Sequence, residues 1–452
     1  MEKNRILEFE DALIPQLYGK LQLLHTSEER QRIVELALMD FFNQDTKGRF
    51  KDVQEALDNE EVRNKFIKEF LSYGIISDLL NDFEVEDIII NALKPIFIHH
   101  SQEGLVSTGK KFETPLEIDI FVKKLILLSG RSQYASIMNI ELPNLEGRVN
   151  IIKSPFGPQL TITKAKMSPL SILDLIKRGA MSYEVAAQLW VYLEGMNIRP
   201  ANILIAGGPG VGKTTLLNAL FCFIPEGHRT VVIEDTLELN TDFDASCSRL
   251  ESGEEYTLAD LVANSLRMRP ERIVVGEVRG IEARDMITAA NIGKYCICTI
   301  HALTAREAII RLQNEPMNIP ETLVRLMDVF VVLKRYHVED QLFRVVDEIS
   351  ETSGMEQEKV LLSQIYKYDY ETKQINSVST STVFRDRLAQ QAGLLPKDII
   401  LEVQLRAFLL EELSKRGLTT LKEVTSFCRA YSKDPNRAVS SLGFNRKELL
   451  GK

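Results

Sequence analysis

The chain has 452 residues, 44% of them hydrophobic and 26% charged, with a formal net charge of −9. That length implies roughly two to four folded domains, and the acidic balance speaks against a general nucleic-acid binder. No apolar run approaches the ~18 residues of a spanning helix, and the charged N-terminus has no signal-peptide core, so a cytoplasmic location is expected.

Residues 1–70 read as helices, with Leu13, Leu17, Leu21 and Leu24 recurring at helical spacing, followed by Val34, Leu38, Phe41 and Phe42 and then Val62, Phe66 and Phe70. Residues 71–166 change character. Strand-like runs at 85–91 and 95–100 are punctuated by Glu103-Gly104 and Thr108-Gly109, a helix is expected over 115–128, and strands return at 147–152 and 159–163. This pattern predicts a small α+β domain. His99 and His100 lack partners arranged for a metal and read as surface polar residues. The best linker candidate is Met167-Ser168-Pro169-Leu170.

An α/β domain is expected over 167–379. Its strand candidates are 202–206, 230–233, 272–275, 295–299 and 329–333, with helical stretches between most of them, which implies a mostly parallel sheet covered on both faces. Two more strand-like runs, 343–349 and 364–370, close it. Residues 380–452 return to helix as a small C-terminal extension, with a stripe of Leu401, Leu405, Phe408 and Leu409, a stop at Gly417 and a second helix over 418–429. The cysteines Cys222, Cys247, Cys296, Cys298 and Cys428 form no C-x-x-C pair and no four-ligand set. Cys296 and Cys298 alternate in an apolar run and read as buried strand residues, and Trp190 reads as core.

Gly207-Gly208-Pro209-Gly210-Val211-Gly212-Lys213-Thr214 matches the pattern G-x-x-x-x-G-K-S/T without a mismatch, between a strand-like run and the helical run that begins at Thr215. Glycines let backbone N–H groups approach phosphate oxygens, and the helix directs its N-terminus at the same charge. Lys213 is expected to reach the β- and γ-phosphates and the Thr214 hydroxyl to bind Mg²⁺.

Such a loop needs an acidic residue at a neighbouring strand end. Glu234-Asp235 follows the run 230–233, and Glu277 follows 273–276, so both should emerge at the carboxyl edge of the sheet, as should His301 after 295–299. Arg267, Arg269, Arg272, Arg279 and Arg284 crowd the same stretch. Guanidinium groups stabilise charge on a transferring phosphate, and Arg279 is the best placed of the five.

These residues resemble the secretion ATPases of type II and type IV systems, including type IV pilus and archaellum motors. Gly207–Thr214 matches the Walker A loop, residues 233–238 look like the family's Asp box, 266–280 like its Walker B region, and Thr299-Ile300-His301-Ala302 with Ala305-Arg306-Glu307-Ala308 like its His box. Tyr73-Gly74, Ile88–Asn91 and Gly147-Arg148-Val149-Asn150 resemble the N-terminal domain of the CpaF/TadA-like branch. Residues 311–320, 365–370 and the helical tail look like archaeal GspE- and FlaI-like members.

The resemblance implies a RecA-like P-loop ATPase domain preceded by a small PAS-like α+β domain, with helical N- and C-terminal segments. It implies ATP and Mg²⁺ bound by Gly207–Thr215. Glu234 would be the general base, Glu277 would complete the Mg²⁺ site with Thr214, and His301 and Arg279 would sense or stabilise the γ-phosphate. Arg148 and Arg131 match N-terminal arginines that approach the phosphates when that domain closes over the nucleotide. A homo-hexamer docked at the cytoplasmic membrane on a polytopic platform protein follows, with no nucleic-acid partner. The chain departs from the family at Ile162-Thr163-Lys164, where an Ile-Arg-Lys run is usual, and it lacks the four-Cys zinc module of the bacterial type II branch. Two other readings share the loop: a RecA-like nucleic-acid motor, against which the net charge and the absence of a basic, aromatic-studded stripe speak, and a non-hydrolysing nucleotide-dependent scaffold, against which the retained Lys213, Glu234 and Glu277 speak.

Overall fold

A computed structural model describes residues 3–45, 48–101, 103–132, 135–142, 145–164, 169–241, 244–253, 255–338, 341–357, 359–379 and 382–451. The chain forms two compact units, Met1–Met167 and Ser168–Lys452. Met167 and Ser168 of the expected linker lie outside the described residues.

The first unit opens with helices α1 (Lys3–Leu17), α2 (Ser27–Gln44), α3 (Lys51–Leu57), α4 (Glu60–Phe70) and α5 (Ser77–Asn81). Thr26 starts α2 with a capping box to Glu29, which satisfies two otherwise orphaned N–H groups. Strands β1 (Val85–Asn91), β2 (Phe97–His100), β3 (Gly104–Ser107), β4 (Ile137–Leu142), β5 (Leu145–Ser154) and β6 (Gly157–Lys164) make an antiparallel sheet in the order β3-β2-β1-β6-β5-β4, with α6 (Pro115–Leu128) inserted between β3 and β4. Leu160 and Ile162 of β6 are buried while Thr161 is exposed, the alternation expected of a sheet with one covered face.

The N-terminal helices share a single core with this sheet. Phe9, Leu13 and Leu17 cluster with Val122 and Leu125 of α6 and with Ile88, Ile90, Val149 and Ile162. The Phe9 ring lies 5.3 Å from Phe41 and from Phe50. Leu24 departs from the helical stripe expected of it: α1 ends at Leu17, the chain turns through Gly19 at φ 74°, and Leu24 is 92% exposed.

The second unit begins with α7 (Ile172–Lys177) and α8 (Tyr183–Glu194). Strands β7 (Ile203–Gly207), β8 (Thr230–Glu234), β9 (Ser248–Glu251), β10 (Arg272–Val275), β11 (Tyr295–Ile300), β12 (Val329–Val338), β13 (Gln341–Glu356), β14 (Lys359–Asp369) and β15 (Gln374–Ser377) form one sheet in the order β15-β14-β13-β12-β7-β11-β10-β8-β9. The six strands from β12 to β9 are parallel, and β13 to β15 extend them as antiparallel hairpins. Helices α9 (Lys213–Leu220), α10 (Leu258–Ser265), α11 (Glu282–Asn291), α12 (Ala305–Gln313) and α13 (Glu321–Val324) connect the parallel strands. The second unit is thus an α/β fold around a mostly parallel sheet, and the first is an α+β fold.

Alternation along β7 shows why it reads as a continuous apolar run. Ile203 and Ile205 enter a core with Trp190 and Leu217, whereas Leu204 and Ala206 enter a second core with Met286 and Ile309 on the other face.

The last helices, α14 (Val383–Ala392), α15 (Pro396–Lys415), α16 (Leu421–Lys433), α17 (Pro435–Ser441) and α18 (Arg446–Leu449), follow β15. They are built into the first of those two cores. Leu409, Leu413, Val424 and Tyr431 cluster with Trp190 and Phe223, and the Trp190 ring stacks on Phe223 at 5.3 Å and meets Tyr431 edge-on at 5.1 Å. Arg406, fully buried above the Trp190 ring at 4.7 Å, pairs with Glu194 of α8 and Glu402 of α15.

Candidate nucleotide site

The loop 207–214 joins β7 to α9. Gly210 and Gly212 adopt φ of 67° and 97°, a region L side chains rarely enter. Gly207 has a different constraint: a Cβ there would sit 2.6 Å from Val211 Cγ2 and 2.9 Å from the Leu333 carbonyl oxygen. Val211 is itself buried and anchors the loop to the core, while Pro209 and Gly210 are exposed and Gly208, Thr214 and Thr215 are half-buried. Lys213 opens α9 and is 7% exposed. Its Nζ donates to the carbonyls of Gly207 at 3.1 Å and Gly208 at 3.0 Å. Burial lowers its pKa, which the nearby Glu277 carboxylate partly offsets.

Three expected residues meet Lys213 or one another at the carboxyl ends of the parallel strands. His301 follows β11 and faces Lys213 Nζ through Nδ1 at 3.2 Å, while its Nε2 lies 3.2 Å from Glu277 Oε2. A lysine can only donate, so the partners assign Nδ1 as acceptor and Nε2–H as donor. Glu277, just past β10, also binds Arg279 Nε at 2.8 Å, and Arg279 Nη2 reaches Asp235 at 3.0 Å. The glycine loop and the segments that follow β11, β10 and β8 are thereby joined in one polar chain.

Glu234, the last residue of β8, is 3% exposed and accepts from the backbone N–H of Glu238 at 3.1 Å and Leu239 at 3.2 Å. Burial pushes its pKa up to about 7 against the pull of those two bonds. A Cβ on Gly276 would stand 2.9 Å from Glu234 Cγ, so the residue before Glu277 has to be small to leave Glu234 its place.

The other arginines separate. Arg272 starts β10 and is fully buried at the opposite edge of the sheet, donating to the Leu193 carbonyl; burial lowers its pKa to about 10. Arg284 donates to the Met317 carbonyl, and Arg267 and Arg269 are exposed. Arg148 and Arg131 belong to the first unit. Arg148 is exposed on β5 directly opposite Thr163 of β6, and Arg131 is exposed just past α6.

Two functional candidates had no sequence signal of their own. Arg335 and Arg344 are cross-strand partners on β12 and β13. Arg344 Nε donates to the Gly210 carbonyl at 3.0 Å, and the Arg335 guanidinium lies 3.0 Å from where a Gly210 Cβ would be. Arg335 lies on the extension of β12 past Leu333 and Arg344 in the strand-like run 343–349, and their hairpin reaches the glycine loop.

The oxygen donors present suit Mg²⁺, which is usually held by one or two protein groups together with substrate phosphates and water. Thr214 at the start of α9 and Glu277 at the end of β10 offer such donors, and the described residues contain no cluster of three or more His, Cys, Asp or Glu that would hold a metal without substrate.

A family model described as type II/IV secretion system protein matches residues 135–348, which span the glycine loop and the three strand-end motifs. An uncharacterized protein of Methanocaldococcus jannaschii is 32% identical over 411 residues, covering 85% of this chain and 74% of that protein. A probable conjugal transfer protein TrbB of Sinorhizobium fredii is 30% identical over 270 residues, 57% of this chain and 81% of that one. Among solved structures, the ATPase DotB of Legionella pneumophila aligns over 85% of this chain and 94% of its own, with 18% identity and a TM-score of 0.44. On the family match and on relatives at least 30% identical and covered over more than two thirds of their length, the chain belongs to the type II/IV secretion system protein family.

Proposed function

We propose that this chain hydrolyses ATP to ADP and phosphate, works as a homo-hexamer, and drives protein export or the assembly, rotation or retraction of a type IV filament. The observation that carries the reading is the polar chain from Lys213 through His301, Glu277 and Arg279 to Asp235, which gathers groups from three strand ends beside one glycine loop.

In this reading Lys213 exchanges its two loop carbonyls for phosphate oxygens. Glu234 orients a water and takes its proton as the water oxygen bonds to the γ-phosphorus; the bond from that phosphorus to the bridging oxygen breaks and ADP leaves. A base with a pKa about 7 is half available at neutral pH, close to the optimum for general-base work. His301 links Lys213 to Glu277, so a change at the γ-phosphate can be felt at Arg279. Thr214 and Glu277 would hold Mg²⁺, which when bound neutralises charge on the β- and γ-phosphates. Arg148 and Arg131 are proposed as phosphate contacts from the first unit.

No helix among the described residues is long and apolar enough to cross a membrane, so force would reach the export machinery by docking on the cytoplasmic side of a polytopic platform protein. Steady-state phosphate release by the full chain tests the catalytic reading. Turnover that disappears in Lys213→Ala and Glu234→Gln is expected. Nucleotide binding without turnover in the wild-type hexamer would favour a scaffold, and stimulation by DNA or RNA would favour a nucleic-acid motor.

A further inference from the structure

The second unit has a cavity of about 680 Å³ at the edge of the sheet opposite the glycine loop. Asn202, Tyr295 and Asp328 line it, and they stand at the starts of β7, β11 and β12, whose far ends lead to Gly207, His301 and Arg335.

Its walls carry four cations, Arg199, Lys294, Arg325 and Arg387, against one carboxylate, Asp328. That carboxylate is already committed. One oxygen lies 3.3 Å from both Arg199 and Arg387, and the other accepts from the Asn202 N–H at 3.0 Å. Lys294 and Arg325 form no ion pair among the described residues. An uncompensated positive cluster runs against the net charge of −9 of the chain.

The remaining wall is not ionic. Leu326 and Met355 give it apolar surface, and at Gly293 and Gly354 nothing lies within 4 Å of where a Cβ would be, so backbone borders open space. The volume falls in the range of about 300–1,000 Å³ typical of small-molecule sites.

We propose that this cavity binds a small organic molecule bearing two or more phosphate-type negative charges on an apolar body, separate from the nucleotide held by the glycine loop. Arginine forks recognise such oxygens in pairs, and the unpaired Lys294 and Arg325 supply the charge that Asp328 does not cancel. The apolar wall takes the body of the ligand.

The test is calorimetric titration of inorganic pyrophosphate into the full chain carrying Lys213→Ala, which disables the loop's own phosphate contact. A single remaining site is expected, and adding Lys294→Ala and Arg325→Ala should weaken it by roughly tenfold or more, the scale of lost charge-assisted bonds. Neither side chain holds an ion pair in the fold, and the lone Trp190 reports by its fluorescence that the unit is intact. No binding in the Lys213→Ala chain, or equal affinity after the two further substitutions, would overturn the proposal. So would capture of a hexaglutamate peptide where pyrophosphate is inert, which would make the cavity a protein contact.

Discussion

Lys213 Nζ and His301 Nδ1 lie 3.2 Å apart across 88 residues of sequence, and the other nitrogen of that imidazole faces Glu277. Lys213 therefore reaches the Glu277 carboxylate through a single ring, a path that can be cut without touching either end.

His301→Ala should lower turnover by roughly two orders of magnitude, the usual scale for a positioned acid–base group, while nucleotide affinity changes only a few-fold. Paired kcat and nucleotide-binding measurements check this. Equal losses in both would mean that the ring holds the loop in place and does nothing more.

Glu234 makes a pH prediction. Its pKa is raised from 4.5 to about 7 in the folded chain. Between those values the native state keeps a proton that the unfolded chain has released, so this group makes stability fall as pH rises through that window, by roughly 3 kcal/mol. Turnover should move the other way, rising with pH to an inflection about 7. Denaturant melts of Glu234→Gln, compared with wild type at several pH values, should show that portion of the slope removed.

Gly276→Ala should act on Glu234 from behind, because the new methyl would press on Glu234 Cγ at 2.9 Å. Overpacking of this kind costs about 1–3 kcal/mol. Turnover should fall and the acid limb of the pH profile should shift, whereas a purely global loss of stability would leave the limb where it was.

Arg344→Ala removes the hydrogen bond to the Gly210 carbonyl, and Arg335→Ala removes the neighbouring guanidinium. Each should weaken ADP binding by roughly tenfold, the scale of a bond to a charged group. Titration with a fluorescent ADP analogue reads this directly. Unchanged affinity in both variants would reduce the hairpin to a passive cover.

Arg148→Ala should reduce turnover about tenfold if its guanidinium meets phosphate, and Arg148→Lys should recover part of that. Thr163→Arg should not raise turnover, because it sets a second guanidinium directly opposite Arg148 on the next strand, and like charges so placed are destabilising. Thermal melts of Thr163→Arg beside its activity separate the two effects.

Much of this site was legible because its residues obey local rules. A glycine loop after a buried strand, and acidic residues after apolar runs, put Glu234, Glu277 and His301 at strand ends without any knowledge of the pairing. Arg335 was not legible because it lies beyond the apolar part of β12, in a stretch paired with β13, and Arg344, although inside the strand-like run 343–349, belongs to no motif that ties it to the glycine loop. The edge strand β9, Ser248–Glu251, is polar and half-exposed, so no hydrophobic period announced it. The inward turn of Glu234 depends on backbone N–H groups four and five residues on, which no pattern of side chains records. Leu24 had the right spacing and the wrong setting, since a period continues to be visible after the helix that would use it has stopped.

The packing of Leu409, Leu413, Val424 and Tyr431 against Trp190 and Phe223 has a consequence for the order of events during synthesis. The glycine loop and its strands leave the ribosome early, but the apolar surface of α8 and of residues 221–223 that α15 and α16 cover stays wet until residues 396–433 have emerged some two hundred residues later. Nascent chains therefore carry an open apolar face past the point where the nucleotide loop is already made. Binding of a chaperone to that half-built layer would protect it during the wait.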